Sequence, residues 1–291
     1  MPRKPLIVFP VKAPVKDRAF DLCAAIVESL AAANESLQDG DVLAVSSKYA
    51  AIAEGRVVSM NEVRVSAEAE AIAERYMMNP MMVELVLQEA DHVFGGIIHD
   101  FRGTKVGFLL THKDGIISPN AGLDRSNIPN GQVVLFPADP YGLAAEIRRE
   151  MRDRLGVNVG VILTDSWLMP GRLGTTGVAL ATAGFDPVQD ERGKIDLFGN
   201  PMQVTQRGIA DTICASVQMV MGETAEATPI AIARNTGVQL TDRTLSVDDV
   251  AIPWELCIYV GSLTAGLLED HPLRAHITGG NRIIRWPATG D

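Results

Sequence analysis

Four places in the chain carry side chains whose type and spacing could handle a charged ligand. Residues 159–172 read VGVILTDSWLMPGR: an apolar run over 159–163 stops at Thr164 and delivers Asp165 and Ser166 where a strand should meet solvent, ahead of Trp167 and a Pro170-Gly171 breaker. Strand ends of this kind are where α/β proteins place ligand and catalytic groups, although a carboxylate capping a turn after a core strand reads the same way. In GDVLAVSSK a short apolar strand over 42–45 ends in Ser46, Ser47 and Lys48, two hydroxyl donors and a point charge that can hold phosphate oxygens, or that can simply be a solvated loop. In SPNAGLDRSNIPNG, Asp124 and Asn127 stand three positions apart among turn-forming residues, a carboxylate and an amide able to serve a hard cation and a polar ligand together, or to close an Asx turn. In MGETAE, Glu223 follows Gly222 at the end of an expected helix, with Glu226 three further on. The helix dipole disfavours a carboxylate there, which points modestly to a cation or ligand group nearby.

The elements that must position these groups follow from periodicity and punctuation. A first strand is expected over 6–11 and a helix over 17–33, with Phe20, Ala24, Val27 and Ala31 on one face. Residues 66–76 are Ala/Glu-rich and expected to be helical, and Asn79-Pro80 starts another helix whose Val83, Val86, Leu87 and Ala90 share a face that reads as core. A strand over 133–136 leads to a helix opened by Asp139-Pro140, with Leu143, Ile147, Met151 and Leu155 down one side and Gly156 at its end. Its arginines, Arg148, Arg149, Arg152 and Arg154, interleave with acids and read as a solvated face. Strand, helix and strand from 133 to 163 form a unit that favours parallel pairing by a right-handed crossover. LGTTGVALATAGFDP is rich in Gly, Thr and Ala, and DERGKIDLFGNPMQVT carries two Gly turns that indicate a hairpin or irregular excursion. No GxxxxGK(S/T) or GxGxxG occurs there, so nucleotide binding must use scattered groups. Thr205 is the expected cap of a helix bearing Ile209, Ile213, Val217 and Met221, and 230–233 reads as a last short strand before Arg234. Downstream come a capping-type segment at 246–249, an apolar run over 254–260 and a basic-aromatic IIRWP to which the sequence assigns no role.

Composition narrows the classes. With 291 residues and 47% hydrophobic composition the chain can bury a large core, as one large domain or two smaller ones. The net charge of −10, with no Lys/Arg cluster, argues against nonspecific nucleic-acid binding. Cys23, Cys214 and Cys257 lack metal or disulfide spacing and read as buried thiols in a reducing cytoplasm. His92, His99 and His112 fit no ligand spacing on a helix or strand and read as separate structural or surface residues. The basic N-terminus is broken by Pro10, Lys12 and Pro14 too soon for a signal core or a membrane span, so a soluble, cytoplasmic protein with no membrane partner is expected.

The ordered set GDVLAVSSK with AEGRVV, AGLDRSN, LFPADP, GVILTDS, the RGxxDxFG pattern over 192–199, VT with AD in the next helix, MGE, and Pro229 with Arg234 resembles the F420-0:gamma-glutamyl ligase family over residues 5–240. The resemblance implies a mixed α/β fold of that family's own type, assembled as an intertwined homodimer, in which 1–291 is one ligase-like region divisible into two subdomains, with its core at 5–240 and an extension at 241–291. It implies an enzyme that uses GTP, two Mg²⁺ or Mn²⁺ ions and a monovalent cation, K⁺, to join L-glutamate to the carboxylate of a deazaflavin coenzyme precursor or a related acceptor. Carried over position by position, Asp124 and Asp165 match the ligands of one metal, and Ser166 and Glu223 those of the second. Ser47, Lys48, Asn127 and the segment 221–228, including Met221, Gly222, Glu223, Thr224 and Glu226, match nucleotide-contacting positions. Two cations held by such oxygens would neutralise a triphosphate and the charge that develops in phosphoryl transfer. Lys48 and Arg172 are the catalytic candidates for stabilising an oxyanion.

The chain departs from the family pattern at three places. Met169 stands where one of two arginines is usual, Ile52 where a lysine is usual, and Gly177 where an aspartate is usual. Two cations and a carboxylate are thereby lost from positions that could bind phosphate or substrate carboxylates, which fits a different acceptor or amine better than a decayed enzyme. A metal-dependent phosphohydrolase and a non-catalytic nucleotide- or deazaflavin-binding protein are the alternatives.

Overall fold

The computed structural model describes residues 4–101 and 103–265; the IIRWP segment and the rest of the C-terminal stretch lie outside them. The described chain is mixed α/β and divides into two compact units, one made of residues up to 60 together with 123–250, the other of 61–122 together with the residues from 251 onward.

The first unit is built on a five-stranded sheet. Its strands are β1 (Ile7–Val11), β2 (Val42–Ser46), β8 (Gly160–Leu168), β9 (Thr175–Ala183) and β12 (Ile230–Arg234), in the spatial order β1-β12-β2-β8-β9. Only β2 and β8 run parallel, paired from Val42 with Gly160 to Ser46 with Thr164. Leu43, Ala44 and Val45 in β2 and Val161, Ile162 and Leu163 in β8 are fully buried, so these central strands are covered on both faces and read as continuous apolar runs rather than alternating ones. Helix α6 (Ile209–Met221) covers one face: Ala210, Ile213, Cys214, Val217 and Met221 pack with Val42, Ala44, Ile162, Ala179 and Phe185. Each large side chain so buried contributes about 1.5–3 kcal/mol. Helix α5 (Pro140–Leu155) packs on β8 and β9 from the other side, with α1 (Leu22–Ala32) against it. Burial holds the Cys214 thiol well above its ordinary value and pushes that of Cys23 to about 11, and all three cysteines are free.

Cap chemistry sets most helix ends. Asp139 accepts from Gly142 N ahead of Pro140, and Gly156 closes α5 in the left-handed region. Ser66 and Asn79 cap α3 (Ala67–Tyr76) and α4 (Pro80–Glu89) in the second unit. There β4 (His92–Phe101), β5 (Thr104–Lys113) and β6 (Ile116–Pro119) form an antiparallel meander. His92 pairs across the strands with His112 and stacks on Trp254, and His112 lies 3.5 Å from Asp91.

Several elements differ from the sequence expectation, each for a local reason. The first helix starts at Leu22 rather than at 17, because Asp21 caps it through Ala24 N. Residues 47–53, the loop alternative for Ser47 and Lys48, are instead a short helix, α2 (Ser47–Ala53). The strand at 132–134, β7 (Gln132–Val134), does not form a parallel pair with β8. It is a short antiparallel partner of β3 (Val57–Ser59), too brief to enter the main sheet, and the parallel neighbour of β8 is β2. Ser246 and Asp249 do form a capping box. Helix α6 is preceded by Gly208, with Thr205 outside it. The buried face of α4 comprises Met82, Val83, Leu85 and Val86, so Val83 and Val86 of the expected stripe are core while Leu87 and Ala90 are only partly buried. Arg148 is not on a solvated face: it is buried, donating to Val159 O at 3.0 Å and Asn158 Oδ1 at 2.9 Å and pairing with Asp242 at 2.9 Å. The Gly/Thr/Ala-rich stretch after Arg172 is a strand, β9, with Leu180 as the extra residue opposite the Leu163–Thr164 step, and its small residues are what α6 can pack on closely.

Candidate functional site

The apolar run at 159–163 does not end at Asp165. Strand β8 continues to Leu168, with a bulge between Leu163 and Thr164, but β2 stops opposite Thr164. Asp165 is therefore the first residue beyond the parallel pair, past the carboxyl end of β2, where an α/β sheet opens a crevice. A pocket of about 800 Å³ occupies that position in the first unit. Its wall includes Ser46, Lys48, Asp124, Ser126, Asn127, Asp165, Ser166, Gln218 and residues 221–229, and the loop 13–17.

One end of the acidic wall is charge-balanced. Lys48 Nζ lies 2.5 Å from Asp124 Oδ2 and donates to Ser126 Oγ at 2.7 Å. Asp124 also accepts from Ser126 N at 2.7 Å and Ser126 Oγ at 3.0 Å, the Asx-turn geometry, so the turn and the ion pair coexist. Burial works against its charge, but the Lys48 hydrogen bond and charge and the Ser126 donors outweigh it, leaving the Asp124 carboxyl below its ordinary value. Asp165 is half-buried and accepts from Ser47 Oγ at 2.8 Å and Ser166 N at 2.6 Å. Burial, reinforced by the Asp124 charge, pushes its carboxyl up to about 6 against these hydrogen bonds.

At the other end Ser166 Oγ donates to Glu223, at 2.7 Å from Oε1 and 2.9 Å from Oε2. Glu223 also accepts from Thr175 Oγ1 at 3.2 Å and from Gln218 Nε2. Gly222, with φ 74° and ψ −178°, turns the chain out of α6 so that Glu223 reaches Ser166; that backbone conformation is open to glycine alone. The loop that follows is tied down: Asn127 Nδ2 donates to Thr224 O at 2.7 Å, and Glu226 accepts from Thr224 N at 2.7 Å.

Not every residue singled out in the sequence reaches the pocket in the same way. Ser47 is buried with its hydroxyl committed to Asp165, and Ser46 lines the wall in its place. Met221 is a core residue whose carbonyl accepts from Thr228 Oγ1. Arg172 lies in the exposed turn joining β8 to β9, and the structure does not bring it to the pocket wall. Met169 is exposed in the same turn, while Ile52 is buried with Ala51 and Val134 and lines the pocket. The sequence reading passed over Gln218, Thr175, Ser126 and the loop 13–17, which is fixed by Ala13 N to Ala227 O at 3.0 Å and Tyr49 Oη to Pro14 O at 3.3 Å. Pro14, after the first strand, is the available signal for that loop; for Gln218, on an amphipathic helix, there is none.

The F420-0:gamma-glutamyl ligase family pattern matches residues 10–235. The chain belongs to this family. It is similar to a coenzyme F420:L-glutamate ligase of Methanopyrus kandleri, 36% identical over 76% of this chain and 82% of that protein. It is also similar to the enzymes of the same name from Methanothermobacter thermautotrophicus, 34% identical over 74% and 82%, and Archaeoglobus fulgidus, 35% identical over 79% and 88%. The pocket, the fold around it and the motifs that carry the resemblance all fall inside the matched span. Among the described residues no helix is long and apolar enough to cross a membrane.

The donor set can be tested against divalent cations without assuming them. Among the described residues no three carboxylate, imidazole or thiolate groups converge as one metal cage. Ser166 is hydrogen-bonded to Glu223, whereas Asp124, paired with Lys48, acts on Asp165 as a neighbouring charge. All are hard donors, and Mg²⁺ is held in this manner by one or two carboxylates, with water and substrate phosphates completing its shell. The carboxylates of Asp124, Asp165 and Glu223 and the hydroxyl of Ser166 are donors of the type that suits such an ion, and they do not form a closed structural site.

Proposed function

We propose that the protein is a GTP-dependent ligase that forms an amide between L-glutamate and a carboxylate acceptor, a deazaflavin coenzyme precursor or a related compound. The observation that carries this reading is the convergence of Lys48, Asp124, Asp165, Ser166 and Glu223 on one pocket wall at the carboxyl ends of β2 and β8. In this reading Asp124 and Asp165 would hold one divalent cation and Ser166 and Glu223 a second, and such ions, with K⁺ as a further cation, would supply charge neutralisation for the triphosphate oxygens.

The chemistry is two displacements. An acceptor carboxylate oxygen attacks the γ-phosphorus, forming an acyl phosphate and releasing the nucleoside diphosphate; the glutamate amine then attacks the acyl carbon, phosphate leaves, and the nitrogen gives up its proton. Lys48 supplies a mobile ammonium close to the phosphate positions, able to exchange Asp124 for a phosphate oxygen or for the oxyanion of the second step. Ser47 fixes the orientation of Asp165. Asn127 holds the carbonyl of Thr224 and so keeps the 221–228 loop over the nucleotide, with Gly222 and Glu226 setting its path. The homodimer belongs to the same reading: Leu168, Met169, Leu173, Ile195, Leu197 and Phe198 are exposed apolar residues of one unit that a second copy would cover.

Mass spectrometry of products formed from GTP, Mn²⁺, L-glutamate and a panel of carboxylate acceptors tests the proposal. The expected product is one or more glutamates added to an acceptor, with phosphate released only when both acceptor and glutamate are present, and loss of product in EDTA. Phosphate release without an acceptor would favour a phosphohydrolase, and nucleotide binding with no product under any condition a binding protein.

A further inference from the structure

We infer that Gln218 is a positioning residue for Glu223, seated by Gly177, and that in this chain the Ser166–Glu223 half of the cation site depends on its side-chain amide; the inference rests on the two-cation reading above. Glu223 follows directly on the C-terminus of α6, where the carbonyl ends of the helix repel a carboxylate. No ion pair to Glu223 is found among the described residues; its charge is met by three neutral donors, the hydroxyls of Ser166 and Thr175 and the amide of Gln218. Gln218 touches both members of the pair, with its Nε2 also 3.4 Å from Ser166 Oγ. Gln218 donates to Oε1, which also accepts from Ser166 and Thr175, whereas Oε2 accepts from Ser166 alone, and Gln218, Ser166 and Glu223 all line the pocket.

The reach of Gln218 depends on how closely α6 lies on β9. Gly177 pairs across the sheet with Ser166, and a Cβ placed on it would stand 2.3 Å from Cys214 O and 2.4 Å from Cys214 C, inside the helix backbone. Cys214 and Gln218 are one turn apart on the same face of α6. The missing side chain at 177 therefore lets the helix come down onto the strand that carries Ser166's partner, and Gln218 arrives over Ser166 as a result. The position where a family aspartate is usual and the amide on α6 are thus parts of one arrangement: a carboxylate is absent from the strand and a neutral donor from the helix holds the remaining one.

Isothermal titration of the metal-free protein with Mn²⁺ in the presence of GTP, for wild type, Gln218→Ala and Gln218→Asn, tests the assignment. The expected result is two Mn²⁺ ions in wild type, with the affinity of only one reduced about 10-fold in Gln218→Ala, the scale of lost outer-shell support, and partly restored in Gln218→Asn. The metal-free ¹H–¹⁵N spectrum supplies a second reading: the side-chain amide resonance that vanishes in Gln218→Ala should shift in Glu223→Gln. Two Mn²⁺ bound equally well by wild type and Gln218→Ala, with unchanged melting temperature, would overturn the role of Gln218 while leaving the two-cation reading in place. Absence of Mn²⁺ binding in wild type would overturn both. An unmoved amide resonance would overturn the contact itself.

Discussion

Asp124 and Asp165 occupy the walled part of the pocket and share the positive charge of Lys48, whereas Glu223 stands at an exposed helix end among hydroxyls and an amide. The two pairs offer a cation the same oxygen chemistry, but they solve opposite problems. In the first, burial works against the carboxylates and Lys48 already holds Asp124, so a cation bound there as proposed would have to displace an ammonium. In the second, the side chain is exposed and the problem is geometric, since an unrestrained glutamate on a loop would lose side-chain entropy of about 1–2 kcal/mol on being fixed. Electrostatic perturbations should therefore act on the first pair and steric or hydrogen-bond perturbations on the second.

The sharpest separation comes from Asp165→Asn. Ligase turnover should fall by at least about 100-fold if Asp165 ligates a metal as proposed, while stability should rise by about 1 kcal/mol at pH 7–8. The sign follows from the raised carboxyl: between about pH 4 and 6 the native state holds that proton more tightly than the unfolded chain, so wild type loses stability as pH rises through the window and the amide does not. Thermal melts from pH 4 to 8 check it, and a gain that persists undiminished at pH 4 would contradict the assignment. Next in size, Gly177→Ala should cost about 2 kcal/mol of stability, because the new methyl meets helix backbone and not a movable side chain; denaturant unfolding measures this, and a neutral result would mean that α6 can retreat freely. Lys48→Met should tighten nucleotide-free Mn²⁺ binding at the first pair about 10-fold by removing a competing cation, while raising the KM for GTP, both readable by titration and steady-state kinetics. The smallest effect is Thr175→Val, expected to weaken Mn²⁺ at the second pair only about 2- to 3-fold, since one long neutral hydrogen bond is lost.

The same division governs how much could be read before the structure. Strands β2, β8 and β12 and helices α3, α4, α5 and α6 were legible because their apolar runs and caps are local signals. The parallel partner of β8 was not, since the nearest strand in sequence, β7, is too short to join the sheet, and β2 lies more than a hundred residues upstream. Asp124, Asp165, Ser166 and Glu223 stood out as charged or polar interruptions of apolar pattern. Gln218 did not, because a glutamine on an amphipathic helix carries no local mark and becomes informative only when Gly177 shows how near the helix comes. Arg148 misled in the opposite direction: its neighbours made it look solvated, and its burial depends on Asn158 and Asp242, which no helical period reveals.

The contacts that make the pocket join residues far apart along the chain: Ser47 to Asp165 across 118 positions, Asn127 to Thr224 across 97, Lys48 to Ser126 across 78 and Ser166 to Glu223 across 57. Segments of the first unit from the loop 13–17 to residue 229 must be in place before the pocket wall is complete. A chain still emerging from the ribosome, or one folded only in part, has no assembled pocket. On the proposed function, nucleotide would act as a selective stabiliser of the finished molecule, by about 2.7 kcal/mol at a hundredfold excess over its Kd, and protease resistance conferred by GTP would count completed molecules and no others.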